Sequence, residues 1–288
     1  MRAVLRERVA RPLERLAVLD RLAGPLKVLA DRYIPAGSTT KDLLSGTWLG
    51  HALHPVLTDV VVGAWTSAFL LDLVPGRRTR IASDRLVATG IVAAVPTAAA
   101  GLSDWADVGG AARRVGVLHA TANTAALGLY TGSWLARKRG RRMLGWCLSA
   151  SGFWVAFFSA YLGGHLSFAK GVGVDQTAFE QGPTDWEQVA SEADLQEGEL
   201  TQARANGVGL LLVRRGGTVH ALSDRCSHRG CSLHTGHLVD DTVVCPCHGS
   251  TFRLDGSIVK GPATSPQPAL QVRVESGKVE VRAAKSQD

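Results

Sequence analysis

The sequence predicts a membrane α-helical bundle of four transmembrane helices followed by a small all-β domain. Three observations carry that expectation. Four apolar runs of spanning length succeed one another between residues 54 and 163, strand-like alternation begins near Thr184, and four of the five cysteines lie within 22 residues of the β-rich half.

The 288 residues leave room for two compact units. Hydrophobic residues make up 45% of the chain, an ordinary share, but residues 54 to 165 hold nearly all the long apolar runs. The formal net charge of +7 sits largely in short loops between those runs. Membrane topology accounts for it there, and no interleaving of basic and aromatic residues marks a nucleic-acid face. The expected organisation is a basic amphipathic segment (1–50), a four-helix transmembrane domain (51–168), a linker rich in Gly and polar groups (169–183) and the β domain (184–284).

In the first segment Leu5, Val9, Leu13 and Leu16 recur at helical spacing, and Gly24-Pro25 and Pro35 break the pattern. Such a helix either lies on the membrane surface or packs against the membrane domain. The stretch from Met1 to Arg8 is charged and lacks the apolar core of a signal peptide, so insertion is expected to begin with the later helices.

The apolar runs cover about 54–74, 86–105, 115–136 and 143–163. Each approaches the roughly 20 residues needed to cross a hydrocarbon core. Asp59, Asp72, His119 and Asn123 within them are costly against lipid and are expected to face the bundle interior. Loop 75–85 carries Arg77, Arg78, Arg80 and Arg85, and loop 137–142 carries Arg137, Lys138, Arg139, Arg141 and Arg142. The middle loop holds Arg113 and Arg114, offset by Asp104 and Asp107. By the positive-inside rule the first and third loops face the cytoplasm, which leaves both termini and the β domain on the outer face of a multi-pass cell-membrane protein. The basic segment 1–50 pulls the other way, but only its Arg32 and Lys41 fall within about 20 residues of the first run.

Past Thr184, short β-rich runs alternate with turns at Arg215-Gly216-Gly217, Asp255-Gly256 and Ser276-Gly277, the pattern of a small antiparallel β domain. Two fragments within it carry chemistry: Cys226-Ser-His228-Arg-Gly-Cys231 and Cys245-Pro-Cys247-His248-Gly-Ser250. Cys226, His228, Cys245 and His248 offer a thiolate and an imidazole from each of two loops. A Rieske [2Fe–2S] centre takes both thiolates on one iron and both imidazoles on the other. Zinc is the competing reading, since Cys2His2 is also a zinc set, although zinc fingers draw two cysteines from one knuckle and two histidines from another. Cys147 stands alone in the fourth run and reads as packing.

On these fragments, residues 184 to 284 resemble a Rieske domain, and Gly261-Pro262-Ala263 matches that family's proline loop over the cluster. The resemblance to the cytochrome bc and b6f branch implies a disulfide between Cys231 and Cys247, and a hydrogen bond from Ser250 to a cluster sulfur. Two departures stand out. Phe252 replaces a tyrosine that would supply a second such bond, and Arg229 replaces an apolar residue beside the first histidine. The first is expected to lower the potential, and the second suits an acidic protein partner better than a quinone pocket. Residues 50 to 168, through Gly50-His-Ala-Leu-His54-Pro, Asp104-Trp105 and Gly163-Gly-His165, resemble an uncharacterised four-helix bacterial membrane family found fused to Rieske domains. That likeness implies no function.

By topology His51, His54, His119 and His165 sit at the membrane edge nearest the β domain, and Asn123 lies one helical turn from His119. His54, Asp59, His119, Asn123 and His165 form a candidate site for haem, metal or quinone; the alternative is helix-end hydrogen bonding. The main functional expectation is an iron–sulfur carrier in the lipid bilayer that passes single electrons between a membrane donor and a redox protein. A quinol-oxidising module and a redox sensor are the alternatives. An oxygenase is disfavoured, because no domain with a 2-His-1-carboxylate iron site follows.

Overall fold

The computed structural model describes residues 9–284; Leu5 of the amphipathic pattern lies outside them. The helices among these residues are α1 (Ala10–Glu14), α2 (Asp20–Tyr33), α3 (Thr39–Ser45), α4 (Leu53–Asp72), α5 (Arg77–Ala106), α6 (Gly110–Lys138) and α7 (Arg142–Gly164). Helix α7 runs on into a π turn at His165–Ala169. The strands are β1 (Glu187–Ser191), β2 (Leu200–Ala205), β3 (Val208–Arg215), β4 (Thr218–Ser223), β5 (His237–Val239), β6 (Thr242–Val244), β7 (Thr251–Arg253), β8 (Ile258–Lys260), β9 (Ala269–Glu275) and β10 (Lys278–Ala283). They fold as two compact units. A helical unit joins residues 9–34 to Leu53–Val172, and a β unit joins Pro35–Ala52 to residues 173–284.

In the helical unit, α4, α5 and the stretch Arg142–Ala169 are long and apolar enough to cross a membrane. The expected fourth span lies in α6, whose Ala, Gly, Thr and Ser content, with His119 and Asn123, leaves it outside that set. The packing is inverted relative to a water-soluble bundle. Ala64, Ala68, Ala100, Ser103, Ala126, Ser133 and Ser159 are buried, while Val92, Val95, Trp154 and Phe157 are each more than 60% exposed. Small residues let helix backbones approach closely, and the large apolar side chains form a surface suited to lipid. Cys147, read as packing, is instead exposed on that surface. Trp65 stacks on Tyr130 at 4.0 Å between ring centroids. Gly90 and Gly152 leave the space, since a Cβ at either would press on those rings.

Asp59 also departs from expectation: it is exposed. Val61, Ala64, Trp65 and Ala68 define the buried face of α4, and two residues before Val61 the helix has turned most of the way round. Asp72, Asp84, Arg137 and Arg142 form an ion network at one end of the bundle. Arg137 reaches both Asp72 and Asp84 (3.0 Å), and Arg142 meets Asp84 at 2.8 Å. His54 stands 18 residues before Asp72 on α4, so about 27 Å of helix separates the two polar ends.

Helix α2 runs through Pro25, where the sequence pattern predicts a break. Pro25 lies in the second turn and removes a single backbone donor, while Ala23 and Ala30 pack inward along the same helix. Leu22, Leu26, Leu29 and Tyr33 form an exposed apolar stripe on it. Pro35 does mark the end, with Ile34 as the cap.

The β unit holds a six-stranded antiparallel sheet in the order β1-β10-β9-β4-β3-β2 and a four-stranded sheet β5-β6-β7-β8. Two-residue turns join β3 to β4 at Gly216-Gly217 and β9 to β10 at Ser276-Gly277, all with positive φ as such hairpins require. Leu211, Val213, Leu222, Leu233, Val243, Phe252 and Leu254 form a core that also takes in Cys226 and Cys245.

Arg137 is nearly fully buried and bound to two carboxylates. Arg137→Ala leaves Asp72, among the described residues, with only Ser83 and the more distant Arg142 (3.7 Å) and is expected to cost about 3–5 kcal/mol. A lower unfolding midpoint in detergent checks this, and Arg137→Met with Asp72→Leu is expected to recover most of the loss.

Candidate cluster-binding site

Two loops with matching backbone closures carry the four candidate ligands. In the first, the Cys226 N–H donates to the Cys231 carbonyl (2.8 Å), and Gly230 N–H donates back to the Cys226 carbonyl (2.8 Å). In the second, Cys245 N–H donates to Ser250 (2.8 Å), and Gly249 N–H donates to Cys245 (3.1 Å). Gly230 and Gly249 hold equivalent places with φ of 75° and 78°, a conformation that suits glycine. The Cys231–Cys247 disulfide ties the loops together with their Cα atoms 6.5 Å apart.

The donors fall into two like pairs. The Cys226 and Cys245 thiols hydrogen-bond each other; that bond, with burial, pushes Cys226 up, and the same bond draws Cys245 down to about 7 against the effect of burial. The His228 and His248 rings meet edge-on with centroids 5.1 Å apart. Burial first, then the neighbouring His248, drives the His228 pKa well down and keeps a neutral imidazole fit to bind metal. Among the described residues, no three Cys, His, Asp or Glu side chains close on a single ion. One tetrahedral zinc needs four donors around one point, whereas sulfur facing sulfur and ring facing ring fits a two-iron cluster.

Buried side chains brace the loops. Ser250 Oγ accepts from Ala263 N–H (3.0 Å) and thereby anchors the loop of Gly261, Pro262 and Ala263. Phe252 is fully buried in the same core as both cysteines. Gln267, absent from the sequence reading, accepts from Ser227 N–H (3.0 Å) and donates to the carbonyls of Ser223 (2.8 Å) and Arg225 (2.7 Å). Asp224 accepts from both the backbone N–H and the ring of His234 (2.7 and 2.8 Å). Only burial distinguishes Gln267 and Asp224 from other polar residues, and no short motif signals that. Residues 173–183 lie along the first loop, with Gln176 N–H on the Ser227 carbonyl (2.9 Å).

The helical unit brings together part of the predicted histidine set. The His54 and His119 rings are 6.2 Å apart. Each turns Nδ1 to a backbone carbonyl, Thr97 (2.9 Å) for His54 and Ser159 (2.8 Å) for His119. Asn123 Nδ2 donates to His119 Nε2 (3.1 Å). Gly101 and Gly163 make room for the two rings. His165 does not join them: it bonds Glu14 (2.8 Å), which Lys170 also reaches (2.8 Å). Burial would raise the Glu14 carboxyl, but these two hydrogen bonds hold it below its ordinary range. Asp59 points outward, as described above.

An all-β unit whose paired loops each present a cysteine and a histidine is the mark of an iron–sulfur domain. Residues 185–276 match the Rieske [2Fe-2S] domain family, and the chain belongs to it through this domain, which binds a [2Fe–2S] cluster. Residues 50–176 match a second family, described as Predicted membrane protein (DUF2231). The chain is 40% identical to the 3-phenylpropionate/cinnamic acid dioxygenase ferredoxin subunit of Escherichia coli K12 over 89 residues, 30% of this chain and 83% of that one. It is 33% identical to the cytochrome b6-f complex iron-sulfur subunit of Chlorobaculum tepidum over 96 residues, 33% of this chain and about half (52%) of that one. Among solved structures, the ferredoxin of carbazole 1,9a-dioxygenase from Nocardioides aromaticivorans aligns with a TM-score of 0.34 at 27% identity, covering 35% of this chain and all (100%) of that one. The related Rieske domains thus act as electron-transfer subunits.

The disulfide closes a loop of 16 residues. A bridge over such a length contributes about 3 kcal/mol. Cys231→Ser with Cys247→Ser is therefore expected to release iron at a lower temperature than the parent, followed through the visible absorbance of the cluster on heating.

Proposed function

We propose that this chain is a membrane-anchored Rieske iron–sulfur protein that carries single electrons between a donor in the membrane and a redox partner. Cys226 and Cys245 hold one iron, His228 and His248 hold the other, and Ser250 donates to a cluster sulfur. The division of the donors into a sulfur pair and a ring pair carries this reading. Bound there, the cluster supplies a one-electron couple. The polypeptide buries the cysteines beside Phe252, keeps the His228 imidazole neutral and locks both loops, so that little reorganises as charge changes. Ser250 Oγ already accepts from Ala263, which leaves its own proton for sulfur. Phe252 has none to give, so the potential lies below that of a site with both donors. The names of the relatives, subunits of larger redox assemblies, favour a protein as the electron's other partner.

The helical domain, about 51–168, serves as the anchor for the Rieske domain, about 184–284. Chain topology supports four spans. Residues 35–52 and 173–284 share one compact unit and so one side of the membrane; the segment between them then crosses an even number of times. With α4, α5 and α7 spanning, α6 makes the fourth. Its stretch from 115 to 136 carries no Asp, Glu, Lys or Arg; His119 and Ser133 bond neighbouring helices, and Thr121, Thr124 and Thr131 return their hydroxyls to carbonyls of the same helix. The basic loops favour the outer face for the Rieske domain.

A second reading places a quinol or haem site at His54 and His119, favoured by their approach to 6.2 Å. Both rings are held through Nδ1, and His54 Nε2 stands as an acceptor for a hydroxyl or a ligand for iron.

Purified protein is expected to contain about two irons per chain and to give the rhombic EPR signal of a reduced Rieske centre. His228→Cys or His248→Cys abolishes or reshapes it. Stoichiometric zinc without iron, from cells supplied with both metals, overturns the assignment. For the second reading, His54→Ala and His119→Ala are expected to slow cluster reduction by a quinol analogue with the EPR signal intact. Unchanged kinetics in both variants, with no haem in the parent, reduce the bundle to an anchor.

A further inference from the structure

Residues 35–52 contribute to the β unit from outside the Rieske sequence, and they dock at its cluster-binding tip. Helix α3 is closed at both ends: Ser38 Oγ accepts from Lys41 N–H (3.1 Å), and Gly46 ends the helix at φ 84°. Asp42 Oδ1 accepts from Gly261 N–H (2.7 Å), and Thr47 Oγ1 donates to the Ala263 carbonyl (3.2 Å), so α3 and the turn after it grip the proline loop. The backbone of Gly37 lies against Gly249, next in sequence to His248; a Cβ on Gly249 would stand 3.4 Å from Gly37 N. Gly261 likewise has no room for a side chain beneath Thr47. Between these contacts lies Lys41, 1% exposed.

We propose that Lys41 is a redox-tuning residue: the positive charge of this buried side chain, carried on the helix docked over the cluster-binding tip, raises the reduction potential. The inference rests on the ligand assignment proposed above. In the oxidised cluster, two ferric ions balance two sulfides and two thiolates, so the site is neutral. One added electron reduces one ferric ion to ferrous and leaves a single negative charge. A fixed cation nearby favours that state over the oxidised one, and burial shields the attraction from water and salt. The charge of Lys41 acts on His228, as does that of Arg229 from the loop itself. Asp42, the acid beside Lys41 on α3, turns one oxygen to the Gly261 N–H. Lys41 thus offsets, from another part of the chain, the donor that Phe252 lacks.

The test is a redox titration of the full-length protein in detergent, followed by EPR, with iron content measured for every variant. Lys41→Met is expected to keep its iron and its signal but shift the midpoint potential downward, and Lys41→Arg to restore it. Where Lys41→Met does not accumulate, Lys41→Gln is titrated in its place. A neutral variant that keeps its iron at the parental potential overturns the proposal, as does a Lys41→Arg protein that stays as low as Lys41→Met. Loss of iron from both neutral variants but not from Lys41→Arg also overturns it, by making Lys41 a structural cation. Failure of the ligand assignment reads differently, as no Rieske signal in the parent protein.

Discussion

The site depends on making two separate loops present unlike ligands at one place and keep them there. Four backbone hydrogen bonds meet that demand by using the same closure twice, with a left-handed glycine at the same offset from each cysteine. The disulfide joins the loops side by side, and Gln267 fastens the first to the chain that follows the proline loop. Ser250 and Ala263 do the same for the second. A rigid frame suits electron transfer, because the energy of rearranging ligands adds to the barrier whenever an electron enters or leaves.

The helical unit solves a different problem, that of being stable where water is scarce. Its interior is built largely from Ala, Gly and Ser around the Trp65–Tyr130 stack, and its periphery from Val, Phe and Trp. At one end, Arg137 and Arg142 neutralise Asp72 and Asp84 in a single ion network. Imidazoles gather toward the other end, bonded to backbone carbonyls exposed by neighbouring helices. The apolar length between these ends is close to the thickness of a hydrocarbon core, about 30 Å.

Much of this was legible in the sequence because the signals were local. Cys-x-His and Cys-x-x-His are complete within a few residues, Gly216-Gly217 specifies its own turn, and an apolar run measures its own length. What was not legible depended on pairings across the chain. Asp59 looked like an interior residue until the buried face of α4 was set by Trp65 and Ala68. His165 turned toward Glu14, some 150 positions away. Arg137 read as one more loop charge, yet two acids brought it into the bundle. Residues 35–52 were the largest omission. Their amphipathic, Gly- and Ser-containing sequence gives no sign that a β domain more than a hundred residues later would receive them.

That arrangement has a consequence in time. The β unit is encoded in two instalments, with most of the helical unit between them. A ribosome therefore releases residues 35–52 well before any strand exists for them to pack on, and Gly261 and Ala263 follow more than two hundred residues later. The β unit is complete only when an early segment finds a late one. Until then the tip that carries the ligand loops lacks the cover that α3 and the turn after it provide.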